Sequence, residues 1–133
     1  MTDALEACAD ELGSSEESKK AEREVILAPL RAQYKFIRWW ELDGFGLIVC
    51  RRLRKTETLA VTKLSEAANK AFEATGDAST LVDANESCVK TTCVYPKDRD
   101  SLKRAFDEYP NFSSVAALAI SKMADEGITA GKE

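Results

Sequence analysis

The sequence predicts an α+β fold that is mostly helical, with one antiparallel β-hairpin packed against about four to five α-helices. Three observations predict it. An Asp-Gly pair separates two runs rich in aromatic and β-branched residues, apolar residues recur at helical spacing through most of the chain after residue 55, and 44% of the residues are apolar. A length of 133 residues predicts one compact domain.

The hairpin prediction depends on Asp43-Gly44, because Asp-Gly between two such runs is typical of a type I′ turn. A two-residue turn would pair Leu42 with Phe45. The same register would place these further pairs opposite each other: Trp40–Leu47, Arg38–Val49 and Phe36–Arg51 on one face, and Glu41–Gly46, Trp39–Ile48 and Ile37–Cys50 on the other. Both faces would then be largely apolar. Since a two-stranded ribbon is not stable alone, the second face is expected to need the N-terminal helix, another subunit or a partner.

The N-terminal segment is acidic, with eight Asp and Glu residues against three Lys and Arg residues in residues 1–24. A capping box at Ser14 and Glu17 predicts a helix from about Ser15 to Ala28, which Pro29 ends or breaks. The expected organisation is a flexible segment over 1–14, a single α+β domain over 15–127 and a loose tail over 128–133.

Four helices are predicted after the hairpin, each with an apolar stripe between a capping residue and a stop. The first begins at Thr56 or Thr58 and ends near Thr75 before Gly76; the second begins at Asp77 or Ser79 and stops at Tyr95-Pro96; the third lies between Asp98 and Pro110; the fourth begins at Ser113 or Ser114 and closes at Gly127. Their stripes are Leu59, Val61, Leu64, Ala68, Ala71 and Phe72; Leu81, Val82, Cys88 and Val89; Leu102, Ala105, Phe106 and Tyr109; and Val115, Leu118, Ala119 and Met123.

The composition disfavours most kinds of catalysis. The chain has no histidine, which excludes Ser-His-Asp and Cys-His catalysis and His-ligated metals. It contains no phosphate-binding glycine loop and no zinc-protease motif, and no pair of carboxylates is set in an apolar pocket. We therefore expect no catalytic residues, no cofactor and no metal site. The net charge of −4 argues against bulk affinity for nucleic acid.

The four cysteines and the N-terminus indicate the cellular compartment in which the protein is expected. Cys8, Cys50, Cys88 and Cys93 lack the spacing of a zinc site, and the N-terminus has no apolar signal segment. No run of residues is long and apolar enough to cross a membrane. The expectation is a soluble intracellular protein with reduced thiols and no membrane association.

Two features of the hairpin are candidates for binding. Residues 31–55 carry seven Lys and Arg residues against two acidic ones. This cluster is consistent with a patch that binds nucleic acid or an acidic partner, but we favour a solvated strand end. Trp39 and Trp40 are equally consistent with a binding hot spot or with core packing. The candidate protein-binding residues are Phe36, Trp39, Trp40, Phe45, Leu47, Ile48, Arg51 and Arg52.

Three stretches of this chain carry a resemblance to a known family. They are Cys50-Arg-Arg-Leu-Arg-Lys-Thr-Glu57 after the hairpin, Cys88-Val-Lys-Thr-Thr-Cys-Val-Tyr-Pro-Lys97, and Leu102-Lys-Arg-Ala-Phe-Asp-Glu-Tyr-Pro110. Together with a following Ala-rich helix, this pattern resembles the small tail assembly chaperones of tailed bacteriophages. The resemblance covers roughly residues 26–124, and its most specific part is the block from Tyr95-Pro96 to Tyr109-Pro110.

The resemblance implies a non-enzymatic protein that binds the long, apolar tape-measure protein during tail morphogenesis in the host cell cytoplasm. It implies a protein partner, and the two apolar faces of the hairpin add the expectation of a homo-oligomer. Two alternatives stay open: a structural virion protein, such as a minor tail or head-completion component, and a small nucleic-acid-binding regulator.

Overall fold

The computed structural model describes residues 2–131, and their side chains from residue 16 onward. Over that part of the chain it has five α-helices and a three-stranded antiparallel sheet, which confirms the predicted mostly helical α+β class. In chain order the elements are α1 (Thr2–Gln33), β1 (Ile37–Leu42), β2 (Gly46–Arg51), α2 (Lys55–Thr75), α3 (Ser79–Thr92), β3 (Cys93–Tyr95), α4 (Arg99–Glu108), α5 (Phe112–Lys122) and a 3-10 turn at Met123–Asp125. The chain divides into two units, Met1–Lys35 and Phe36–Glu133.

The first unit is essentially α1, which is longer at both ends than the predicted helix. Pro29 lies inside α1, so the prediction that it ends the helix is wrong. Proline removes one backbone donor, but the next four residues, Leu30–Gln33, are all helix formers. The helix therefore continues, and the Tyr34 amide donates to the Leu30 carbonyl at 2.7 Å. The flexibility expected for residues 1–14 stays a prediction.

The hairpin is confirmed, but its turn and register differ from the prediction. Leu42 lies opposite Gly46 rather than Phe45, so every predicted pair is shifted by one residue. A type I′ turn needs a positive φ at both central residues, and Asp43 does not adopt one, whereas Gly44 has a φ of 74°. The Phe45 amide instead donates to the Leu42 carbonyl at 2.9 Å, which closes a three-residue loop.

A third strand, which the sequence did not predict, makes β2 the central strand of the sheet. β3 pairs antiparallel with β2, with Tyr95 opposite Val49 and Cys93 opposite Cys50. Helix α3 therefore ends at Thr92, before the predicted stop at Tyr95-Pro96. β2 lies between the other two strands, and three of its consecutive residues, which face alternate sides of the sheet, are fully buried: Ile48, Val49 and Cys50.

The core of the second unit lies between one face of the sheet and the helices. Helix α3 packs against both α2 and α5. Helix α4 follows its prediction: the Asp98 carboxylate accepts from the Ser101 amide at 3.0 Å at the N-cap, and the predicted apolar residues Leu102, Ala105 and Phe106 are buried. Helix α2 ends as predicted, at Gly76 with a φ of 72°.

Three predicted apolar stripes are only partly buried. Helix α5 buries Ala116, Ala117 and Ile120, while Val115 and Leu118 of the predicted stripe are exposed. The remaining large apolar residues that were predicted to pack and are instead exposed are Leu59, Leu64 and Phe72 of α2 and Val82 of α3. Small residues allow a closer approach of two helices than leucine does, so the alanine-rich faces form the helix contacts.

Candidate functional site

An open cleft of about 540 Å³, here called the tryptophan cleft, lies beside the edge strand β1. One side is formed by the end of β1 and the other by the residues that join α4 to α5. Its lining residues are Trp39, Trp40, Glu41, Leu42, Glu108, Tyr109, Pro110, Asn111, Phe112 and Val115. The volume falls within the range of natural ligand sites, and the lining is largely aromatic and aliphatic.

Trp40 forms the inner part of the cleft. Its ring meets the ring of Phe112 edge-to-face, with centroids 5.5 Å apart and planes at 80°, and Phe112 in turn stacks on Phe106 at 6.2 Å. Phe106 and Phe112 are both buried. Trp40 is therefore packed onto the core, where offset and edge-to-face aromatic pairs add about 1 kcal/mol beyond their buried area.

Trp39 is the second tryptophan that lines the cleft. Trp39 is 37% exposed, whereas Trp40, its neighbour in β1, packs on the core. Adjacent residues of a strand point to opposite sides of the sheet, which explains why the two rings differ. Trp40 is therefore a core residue, and a binding role for Trp39 stays a prediction.

Tyr109 fixes the far side of the cleft to the hairpin. Its hydroxyl donates to the Asp43 carbonyl in the β1–β2 turn. Val115, one turn into α5, is 56% exposed and continues the apolar lining outward. The cleft therefore has one wall anchored by a hydrogen bond and one wall built on a strand.

The charged residues that line the cleft are both acidic. Glu41 and Glu108 belong to the lining, and no Lys or Arg does. Arg104 lies near Glu108, with its Nε 3.9 Å from a carboxylate oxygen, and both side chains are largely exposed. The rim of the cleft thus favours a cationic group over an anionic one.

Arg51, a predicted binding residue, is engaged within the fold. Its guanidinium donates two bonds of 2.8 Å to the two carboxylate oxygens of Glu57 and a third of 3.1 Å to the Thr91 carbonyl. This guanidinium lowers the pKa of Glu57 from its ordinary value of 4.5 to about 2, with help from the bond that the Arg54 amide donates.

Arg52 is also engaged within the fold. It donates to the Glu126 carbonyl at 2.9 Å, and its guanidinium carbon lies 4.0 Å from the centre of the Phe36 ring. Arg38 pairs with the carboxylate of the same Glu126. Much of the basic cluster near the hairpin therefore supports the structure around the sheet.

The other predicted residues are dispersed. Phe45 is half-buried with the Arg104 guanidinium 5.2 Å from its ring centre, and Ile48 is fully buried with no surface to offer a partner. Leu47 is half-buried on the second face of the sheet. On that face Val49 is fully buried, whereas Trp39 and Glu41 are exposed.

The structure therefore brings only two of the eight predicted residues, Trp39 and Trp40, into the cleft. The sequence reasoning missed Tyr109, Phe112 and Val115, the residues of the opposite wall. The aromatic residues that flank Pro110, where one helix stops and another starts, were the available signal for them.

Among the residues whose side chains are described, no cluster of His, Cys, Asp or Glu could hold a metal ion, and no helix over residues 2–131 is long and apolar enough to cross a membrane. Comparison with known proteins adds no assignment to the cleft: no family model, curated protein or solved structure matches this chain.

Proposed function

We propose that this chain is a non-enzymatic tail assembly chaperone of a tailed bacteriophage, which binds helical segments of the tape-measure protein in the tryptophan cleft during tail morphogenesis. The observation that carries the proposal is the cleft itself. Its rings and aliphatic side chains offer an apolar surface between two rigid walls, with Trp39 at 37% and Val115 at 56% exposure. The motif resemblance around Tyr95-Pro96 and Tyr109-Pro110 supplies the biological setting.

The occupant that fits this cleft is an amphipathic helix with basic residues beside its apolar stripe. Helix-in-groove recognition uses apolar anchors at spacings of three and four residues, which suits a cleft of this size. The carboxylates of Glu41 and Glu108 lie where a flanking Lys or Arg of the partner would meet them. Opposite charges at the rim favour encounter and register more than they add raw affinity.

The exposed apolar residues outside the cleft support a wider protein-binding surface. Leu118 of α5 is 59% exposed one turn after Val115, and α2 exposes Leu59, Leu64 and Phe72. Apolar side chains on several helices are typical of surfaces that meet other proteins. We extend the proposal to self-association of the chain through these helix surfaces.

The test is co-expression of the chain with the tape-measure protein encoded in the same phage genome, followed by affinity purification and measurement of the Kd. We expect a soluble complex whose Kd rises about tenfold for Trp39→Ala, the cost of removing one interface anchor. Ile128→Ala is the control, because Ile128 is an exposed apolar residue that lies outside both the cleft lining and the helix surfaces named above. Thermal melting of both variants separates loss of binding from loss of folding.

Equal affinity of the wild-type chain and Trp39→Ala would contradict binding in the cleft. No complex at all with the tape-measure protein would contradict the chaperone proposal. Mass spectrometry of purified particles distinguishes the structural alternative: a stoichiometric amount of this chain in the finished virion would favour a virion component. The regulator alternative would use the basic cluster from Arg51 to Lys55, and binding to duplex DNA that weakens steeply with salt would favour it.

A further inference from the structure

Two free cysteines lie opposite each other on neighbouring strands. Cys50 of β2 and Cys93 of β3 are directly paired in the antiparallel ladder. Opposed residues in such a ladder have Cα atoms about 4.5–5.5 Å apart, within the range of about 4.4–6.8 Å that a disulfide spans. A β-bulge interrupts the ladder between Val49 and Cys50, and the two thiols remain close enough to share a hydrogen bond.

Only one of the two thiols is accessible. Cys50 is fully buried, whereas Cys93 is half-buried and lines a small cavity of about 60 Å³. The other lining residues of this cavity are Pro96, Lys97, Asp98, Arg99 and Leu102. An external reagent can thus reach Cys93, with Cys50 directly behind it.

The surroundings of Cys93 act on its protonation in both directions: its thiol donates to the carbonyls of Tyr95 at 3.3 Å and Pro96 at 3.5 Å, while other groups lower its pKa. The hydrogen bond from the Cys50 thiol lowers the pKa of Cys93, the backbone at Tyr95 and the Arg99 charge lower it further, and burial opposes them. Burial alone acts on Cys88 and raises its pKa to about 11. Reactive cysteines in proteins are the partly exposed ones with a lowered pKa, and buried ones are inert.

The charge at the cavity indicates the class of reagent. Lys97 and Arg99 contribute two cationic side chains to its lining. The one carboxylate there, that of Asp98, accepts bonds from the amide and the hydroxyl of Ser101. A small anionic reagent is therefore favoured over a cationic one.

We propose that Cys93 and Cys50 form a thiol–disulfide exchange site for small anionic disulfides, in which Cys93 attacks and Cys50 resolves. The Cys93 thiolate attacks one sulfur of the reagent RSSR; a Cys93–SR bond forms, the RS–SR bond breaks and one thiolate RS⁻ leaves. The Cys50 thiol then loses its proton, and its sulfur attacks the Cys93 sulfur and expels the second RS⁻. The two cysteines are oxidised by two electrons, RSSR is reduced to two RSH, and the two protons come from the two cysteines.

The test uses the full chain with the Cys8→Ser substitution, incubated with glutathione disulfide. We expect the folded protein to lose two thiols and its tryptic peptides to contain a Cys50–Cys93 cross-link. Cys50→Ala is expected to stop at a stable mixed disulfide on Cys93, and Cys93→Ser to remain fully reduced. Cystamine, a cationic disulfide, is expected to react more slowly than glutathione disulfide because of Lys97 and Arg99.

A second measurement needs no substitution in the sheet. Brief treatment of the native chain with iodoacetamide, followed by peptide mapping, is expected to label Cys93 roughly tenfold or more faster than Cys88. Equal slow labelling of both residues, or a glutathione reaction that occurs only after unfolding, would overturn the proposal. So would a cross-link that joins Cys88 in place of Cys50.

Discussion

The bidentate pair between Arg51 and Glu57 gives a sharp test of how the second unit is held together. The substitution is Glu57→Gln, which keeps the shape of the side chain and removes its charge. The two 2.8 Å bonds from the guanidinium and the 2.8 Å bond from the Arg54 amide all end on this carboxylate. The side chains of Arg51 and Glu57 are only 12% and 20% exposed, so the pair is partly shielded from water.

The size of the effect follows from the pKa of Glu57. A shift from 4.5 to about 2 corresponds to at most about 3 kcal/mol of folding free energy, which solvent screening reduces to about 2 kcal/mol. Because the pKa in the folded state lies below that in the unfolded state, the contribution is complete above about pH 5. It is lost progressively as the pH falls toward 2.

The assay is urea unfolding followed by tryptophan fluorescence, at pH 7 and at pH 3. We expect Glu57→Gln to lower the free energy of unfolding by about 2 kcal/mol at pH 7, and the difference from wild type to shrink by about half at pH 3. Glu66→Gln on the exposed surface of the same helix is the control and should change stability by less than about 0.5 kcal/mol. A Glu57→Gln effect as small as that of Glu66→Gln, or one that is equal at both pH values, would refute the reasoning.

Substitutions in α5, at Gly76 and at Tyr109 test other parts of the fold by denaturant unfolding. Ile120→Ala, on the buried face of α5, should lower the free energy of unfolding by about 2–5 kcal/mol. Leu118→Ala, on the exposed face of the same helix, should lower it by less than about 1 kcal/mol. Similar losses for the two variants would contradict this assignment of the faces. Gly76→Ala should cost about 1 kcal/mol because the φ of 72° is left-handed, and Gly76→Asn should cost less. Tyr109→Phe should cost about 0.5–1 kcal/mol by removing the bond to Asp43, and no change would show that this bond contributes nothing in solution.

Short sequence patterns were sufficient to predict the elements whose formation depends on neighbouring residues. Asp43-Gly44 predicted the hairpin, Asp98 the start of α4, and Gly76 the end of α2, because each depends on backbone preferences within a few residues. The predicted register was wrong because an Asp-Gly pair is compatible with two loop lengths. The short strand β3 was not predicted because its formation depends on pairing with β2, more than 40 residues earlier in the chain.

The site was harder to predict than the fold. Trp39 and Trp40 were identified from composition, but the opposite wall of the cleft depends on how α4 and α5 pack. The buried faces of α2 and α5 were misassigned because both helices carry apolar residues on more than one side. The periodicity of apolar residues shows which residues share a face of a helix, but not which face is buried. In α2 and α5 the alanine-rich face packs against α3 and is the buried one.

The edge position of β1 has a consequence for behaviour at high concentration. Over residues 2–131 no further strand pairs with β1 on the side away from β2. Unpaired strand edges promote aggregation, and charged side chains on an edge strand are a common protection against it. Arg38 and Glu41 place opposite charges along β1 on either side of its two tryptophans. These two residues thus help keep an aromatic strand from pairing with its counterpart on another molecule, which would extend the sheet from one molecule to the next.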